Sequence, residues 1–156
     1  MRILVAYDGS PSADLAVEEV SRRPWPAGSA VRVVSVLEDA TPVPAEVGIE
    51  LYGPILEKLR QTQRQALEEG LRKAAARLSG RSELPIDTAL REGVVVRTLL
   101  EAIQEFRADL VVVGSHGAKG FERLFLGSVS HALVTHAPCH VEIIKRPVLT
   151  AAALPA

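Results

Sequence analysis

The sequence predicts one α/β domain, a doubly wound and Rossmann-like five-stranded parallel sheet in the order 3-2-1-4-5 with helices on both faces. Three observations predict it. The apolar runs "RILVAY", "VRVVSVL" and "DLVVV" are continuous rather than alternating, which suits strands covered on both faces. Stretches with apolar residues at helical spacing lie between the runs, and alternation of strand and helix implies parallel strands joined by right-handed crossovers. A chain of 156 residues, 47% hydrophobic and 24% charged with 11 Gly and 10 Pro, fits one globular domain that buries about 68 to 70% of its unfolded surface.

"RILVAY" is the first strand and stops at Asp8-Gly9. Ser10-Pro11 starts a helix, with Ser10 capping free amides and Pro11 in the first helical position, where its missing N–H costs nothing. Ala13, Ala16, Val17 and Val20 share the inner face, and Arg22-Arg23 before Pro24 close the helix at the end where its dipole favours cations. The second strand runs roughly from Val31 to Leu37, and an irregular loop follows from Asp39 to Gly53. A long helix is predicted from Pro54, with Ile55, Leu56, Leu59, Ala66, Leu67, Leu71, Ala74 and Leu78 on one face and Gly80 as its stop.

"PIDTALREG" alternates at Ile86, Thr88 and Leu90, the pattern of a strand nearer a sheet edge. In "VVVRTLLEAIQEF", Val94 to Val96 favour strand, yet Val96, Leu99, Leu100, Ile103 and Phe106 form a helical stripe, and helix is the reading adopted. Leu110 to Val113 is the fourth strand. Val129, Ala132, Leu133 and His136 share a face of a last helix that begins at Ser128 and ends at Ala137-Pro138. "CHVEIIK" supplies a short fifth strand. The domain is expected to span residues 1–146, followed by a mobile tail over 147–156.

A formal net charge of -1 leaves no one-sign excess for a footprint on nucleic acid or an anionic membrane surface. The single cysteine, Cys139, makes no internal disulfide, and a reducing compartment is the simpler reading. The first apolar run breaks at Asp8 before a signal core is complete, and nothing approaches the roughly 18 apolar residues of a membrane span. A cytoplasmic protein is expected.

The stretch "GSHGAKGFERLFLGS", Gly114 to Ser128, holds four glycines in fifteen positions. Gly114 and Gly117 let backbone amides approach a phosphate without a Cβ in the way, and a helix starting at Gly127-Ser128 offers free amides and a positive dipole end to an anion. With strands one and four adjacent, this loop and "DGS" face each other where the strand order reverses, the usual ligand position of such folds. Other motifs fail. Lys119 precedes a glycine instead of the Ser or Thr of a Walker loop, the glycines at 114, 117 and 120 are evenly spaced, unlike a dinucleotide fingerprint, and a nucleophile elbow would need glycine where Val113 stands. Ser115 is a poor nucleophile on that count.

Gly114-x-x-Gly117, nine intervening residues and Gly127-Ser128, together with "ILVAYDGSPSADLAV" near the start, resemble the G-2x-G-9x-G-[S/T] signature of the ATP-binding branch of the universal stress protein family. The resemblance spans nearly the whole chain. It implies that Asp8 lies beside the ribose with Ala6 lining the pocket, and that backbone at Val36 reads the adenine edge. Val113 and Gly114 would flank sugar and base, His116 and Gly117 would border the phosphates, and Gly127, Ser128, Val129 and Ser130 would hold the phosphate tail with amides and hydroxyls. A magnesium or manganese ion would ride on the phosphates. The chain departs from the family where proline is common after Cys139 and His140 stands here, and where Gly93-Val94-Val95 replaces G-x-P.

Simpler readings stand beside these. Gly114 and Gly117 suit a tight turn and Asp8 a strand end, and Lys119 and Arg123 suit solvated surface positions. His131, His136, Cys139 and His140 do not make a metal site, because neighbours at 139 and 140 point to opposite faces of a strand. Cys139 reads as a small buried residue, and His116 has no nearby activated nucleophile to serve as a base. The resemblance therefore implies an ATP-binding regulatory or stress-tolerance module with at most slow hydrolysis. Its alternatives are an ATPase or nucleotidyl-transfer enzyme of the same fold, or an AMP-binding interaction module. The apolar edge strand invites pairing, and relatives in the family commonly dimerise through it, so a homodimer through Val141 to Ile144 is expected.

Overall fold

The computed structural model describes residues 1–38, 49–80, 83–116 and 126–145. Strands β1 (Arg2–Ala6), β2 (Ala30–Glu38), β3 (Ile86–Gly93), β4 (Leu110–Gly114) and β5 (His140–Ile144) alternate with helices α1 (Pro11–Arg22), α2 (Ile49–Ser79), α3 (Val95–Phe106) and α4 (Ser128–His136). The sheet order is β3-β2-β1-β4-β5, and every pairing is parallel. The order reverses between β1 and β4, where Val5 lies opposite both Val33 and Val112.

Successive residues of a strand face opposite sides, and β1 divides its apolar run between two cores on that basis. Ile3, Val5 and Tyr7 pack with Ala13, Ala16, Val17 and Val20 of α1 and Leu71, Ala74 and Leu78 of α2. Leu4 and Ala6 pack on the other face with Val34, Val111, Val113, Leu99, Ala102 and Ile103 of α3, and Leu133 of α4. This two-sided burial is why the runs are continuous. Full burial of each such aliphatic side chain contributes about 1.5–3 kcal/mol.

The helices differ from expectation in detail. α2 starts at Ile49 rather than Pro54, which lies inside it. Pro54 stands in the second turn, where it removes one intrahelical bond and its ring crowds the carbonyl four residues back, and the helix continues through it. Of the apolar face predicted for α2, Leu71, Ala74 and Leu78 are buried, whereas Ile55 and Leu59 are 62% and 54% exposed. Length explains the split. The 31 residues of α2 span about 46 Å, whereas the eight residues of β3 span roughly 26 Å, so the helix outruns the sheet it covers. Glu92 near the end of β3 pairs with Arg60 and Arg64, which aligns that part of α2 with the carboxyl edge.

Thr88 in β3 is exposed, while Ile86 and Leu90 pack on the first core. In α3 the inner face holds Thr98, Leu99, Ala102 and Ile103, with Val95 rather than Val96 against the core. In α4 Leu133 and Ser130 are buried and His136 is exposed. β5 forms one edge of the sheet, and its Glu142 is gripped by the Arg23 guanidinium, Nη1 to Oε2 at 2.6 Å, which also binds Glu19. Among the described residues, no helix is long and apolar enough to cross a membrane.

Candidate functional site

Two loops meet at the carboxyl ends of the adjacent strands β1 and β4. The first is tied down within itself. Tyr7 N extends the ladder to Val34 O at 2.9 Å, and the buried Ser35 hydroxyl donates to Tyr7 O at 2.7 Å. Asp8 Oδ1 accepts from Ser10 N at 2.9 Å, and Gly9 turns the chain at φ +77, a left-handed conformation that glycine adopts freely. Ser10 caps α1 by accepting from Ala13 N at 3.1 Å, with Pro11 in the first turn as the sequence predicts.

The second loop is organised by Gly114, Ser115 and the start of α4. A Cβ on Gly114 would sit 2.7 Å from both the carbonyl carbon and the Cβ of Ser12. The glycine is required because α1 packs there, which gives this missing side chain a structural reason that the motif alone did not suggest. Ser115 donates its amide to Ile144 O at 2.9 Å and accepts from Gly127 N at 2.8 Å. The Ser130 hydroxyl donates to Gly114 O at 2.7 Å. Ser10 Oγ makes a long contact of 3.4 Å with His116 O, joining the two loops.

These bonds revise which donors remain. The Gly127 amide and the Ser130 hydroxyl, both expected to point at phosphate, are spent within the protein. α4 itself starts on Gly127 with no side-chain cap, and His131 N is the first amide to bond back, to Gly127 O at 2.9 Å. The amides of Ser128, Val129 and Ser130 have no intrahelical carbonyl to reach, and no hydrogen bond among the described residues takes them. They form a small positive terminus beside the switch point.

The predicted site residues fall as follows. Ala6 is opposite Val113 in the ladder; both are buried on the α3/α4 face, where Val36 packs at its margin. Asp8 is exposed at the mouth. Gly114, His116, Gly127, Ser128, Val129 and Ser130 gather at the end of β4, with Ser128 exposed and Val129 against the second core. Gly117, Gly120, Lys119 and Arg123 lie outside the described residues. Ser12, Ser35 and the bonds of Ser115 were missed by sequence reasoning, because each acts on a main-chain atom distant in sequence.

Tyr7 is 6% exposed, and its phenol is pushed up to about 12 by burial, then by the charge and hydrogen bond of Asp14, which it meets at 3.1 Å. At the opposite end of the strands, Met1, Ala108, Asp109, Pro138, Cys139 and His140 line a concavity of about 640 Å³. Burial pushes the Cys139 thiol up, away from reactive thiolate character, and among the described residues no three His, Cys, Asp or Glu side chains converge on a metal position.

A parallel, doubly wound domain with an uncapped helix start at its switch point belongs to the class of α/β folds that receive ligands at the carboxyl edge. The chain belongs to the universal stress protein family, whose family model matches residues 1–145. A universal stress protein of Thermus aquaticus is 33% identical over 144 residues, covering 92% of this chain and 97% of that one. Among solved structures, universal stress protein UspA from Lactobacillus plantarum superposes with a TM-score of 0.76 at 23% identity, over 92% of this chain and 97% of that one. An Arabidopsis thaliana family member with AMP bound gives 0.65 at 18% identity, over 95% and 93% of the two chains. The Archaeoglobus fulgidus protein in complex with dAMP gives 0.61 at 20% identity, over 93% and 98%.

Proposed function

We propose that this chain is a nucleotide-dependent regulatory module that binds ATP at the β1–β4 switch point. One observation carries the reading: α4 presents to the carboxyl edge the amides of Ser128, Val129 and Ser130, uncapped and without a partner among the described residues, and such a terminus suits phosphate. The AMP and dAMP complexes of structural neighbours support an adenine nucleotide. Asp8 lies at the mouth to meet the ribose, the backbone of Val36 borders the base, and His116 with the α4 start takes the phosphates. Magnesium or manganese is held by the phosphates more than by side chains. The protein works in the cytoplasm as a homodimer paired through Val141 to Ile144, consistent with the edge position of β5.

A second reading, in which the resident nucleotide is AMP, draws on the same two complexes. Denaturing freshly purified protein and identifying the released nucleotide separates the two, and calorimetry with ATP at millimolar concentration tests the class. Absence of bound nucleotide together with no calorimetric binding rejects both. The variant Ser128→Pro tests the phosphate position. Proline is well tolerated at the first helical residue, and Gly127 at φ -59 and ψ 151 already has the conformation that a following proline prefers. Loss of one amide is expected to weaken ATP about tenfold with the unfolding midpoint unchanged, and unaltered affinity moves the phosphates elsewhere.

A further inference from the structure

Ser115 is 2% exposed, and among the described residues its hydroxyl meets a single partner, His116 Nδ1 at 2.9 Å. A hydroxyl brings a proton that needs an acceptor, and a neutral imidazole carries one bare nitrogen and one N–H. With the proton on Nδ1, the Ser115 proton and a bare Nε2 are both left unpaired. With the hydroxyl donating to Nδ1, the Nε2–H alone is left over. Each buried group without a partner is costly, so the second arrangement is favoured. Among the described residues His116 Nε2 has no hydrogen-bond partner, and the atom is buried, so a ligand reaches its N–H only by displacing what covers it.

The main chain around the pair is fixed. Ser115 is bonded at both its amide and its carbonyl, to Ile144 and Gly127, and the His116 carbonyl contacts Ser10 Oγ. The Gly127 bond places the pair one residue from the open start of α4. We propose that Ser115 is a positioning residue that holds His116 as the Nε2–H tautomer, and that the acceptor for this N–H is a phosphate oxygen of the bound nucleotide. The pair then selects phosphorylated ligands over the bare nucleoside, since a bond to an anionic oxygen is stronger than one to a neutral acceptor. The proposal rests on the nucleotide-binding reading.

Two measurements on the full chain test it. Long-range proton–nitrogen spectra of histidine-labelled protein report each ring's tautomer. Nε2 of His116 is expected to be protonated and Nδ1 bare to a greater extent than in a free neutral imidazole, which already favours Nε2–H, and Ser115→Ala is expected to return the ratio to that intrinsic preference. A ring protonated on Nδ1, or one indifferent to Ser115→Ala, overturns the positioning role. Calorimetry with ATP, AMP and adenosine then tests selectivity. Ser115→Ala and His116→Ala are each expected to weaken ATP and AMP about 3- to 10-fold, leaving adenosine unchanged, and AMP is expected to shift the Nε2–H resonance where adenosine does not. Equal losses for AMP and adenosine overturn the phosphate assignment while nucleotide binding stands. Wild-type protein that binds none of the three overturns the nucleotide reading and the assignment with it. Should Ser115→Ala fail to fold, the wild-type spectrum and the His116→Ala affinities decide.

Discussion

The helices α1 and α4 both begin at the carboxyl edge, beside adjacent strands, and their first turns are built in opposite ways. α1 is closed: Ser10 takes the Ala13 amide, Asp8 takes the Ser10 amide, and Pro11 has no amide to offer. α4 begins on a glycine without a side-chain cap, and the hydroxyl of Ser130 in its first turn is turned back to Gly114 O. A glycine in the capping position costs only a few tenths of a kcal/mol against Ser or Asp, so α4 gives up a little stability that α1 retains. α3 also starts uncapped, on Val94, but on the β3 side of the sheet and away from the switch point. The carboxyl edge therefore holds one start closed by side chains and one left uncapped.

Giving α4 the kind of cap that α1 has should erase that difference. Gly127→Asp is expected to abolish nucleotide binding on the order of a hundredfold or more, because the new carboxylate fills the amides and repels phosphate, while stability rises by a few tenths of a kcal/mol. Isothermal titration beside a denaturant melt checks both signs, and retained affinity would show that α4 does not hold the phosphates. The packing between the two starts is tested next. Gly114→Val forces a side chain into the Ser12 backbone and is expected to cost about 1–3 kcal/mol, measured as a fall in the urea midpoint. No fall would mean that α1 and β4 separate freely.

Opening the closed start has a smaller effect. Ser10→Ala should destabilise the fold by about 1 kcal/mol with adenosine affinity unchanged, and a loss confined to adenosine binding would reverse the roles assigned to the two helices. A last effect is seen only in alkali. The Tyr7 phenol, anchored to α1 through Asp14, has its folded value raised to about 12 from an ordinary value of about 10. The raised value favours the protonated form in the folded state, so its stabilisation is complete below pH about 10 and is lost as pH climbs toward about 12. Tyr7→Phe is expected to flatten that part of the stability profile, and an identical decline in both proteins would discard the Tyr7 contribution.

Much of the architecture was legible because its causes are local. The continuous runs of β1 and β4 report burial on two faces, and Ser10-Pro11 marks the start of α1 by the capping chemistry of adjacent residues. What escaped was set by distant partners. No local pattern reveals that Ser12 fills the space at Gly114, or that Ser35 and Ser130 spend their hydroxyls on the carbonyls of Tyr7 and Gly114. The resemblance names Gly127 and Ser130 without showing that both bond to distant carbonyls. The face of α2 was overread for a related reason, since helical spacing shows which residues share a side and is silent about how far the sheet extends beneath them.

The mismatch in length between α2 and β3 has a further consequence for how the molecule opens. Backbone protection in a helix follows the packing that must be broken to expose it. Within α2, the segment around Leu71, Ala74 and Leu78 unfolds only with the first core, whereas the segment around Ile55 and Leu59 has little tertiary burial to lose. One continuous helix therefore contains two cooperative units, and its amides exchange with solvent on a gradient that rises from the sheet toward the free end.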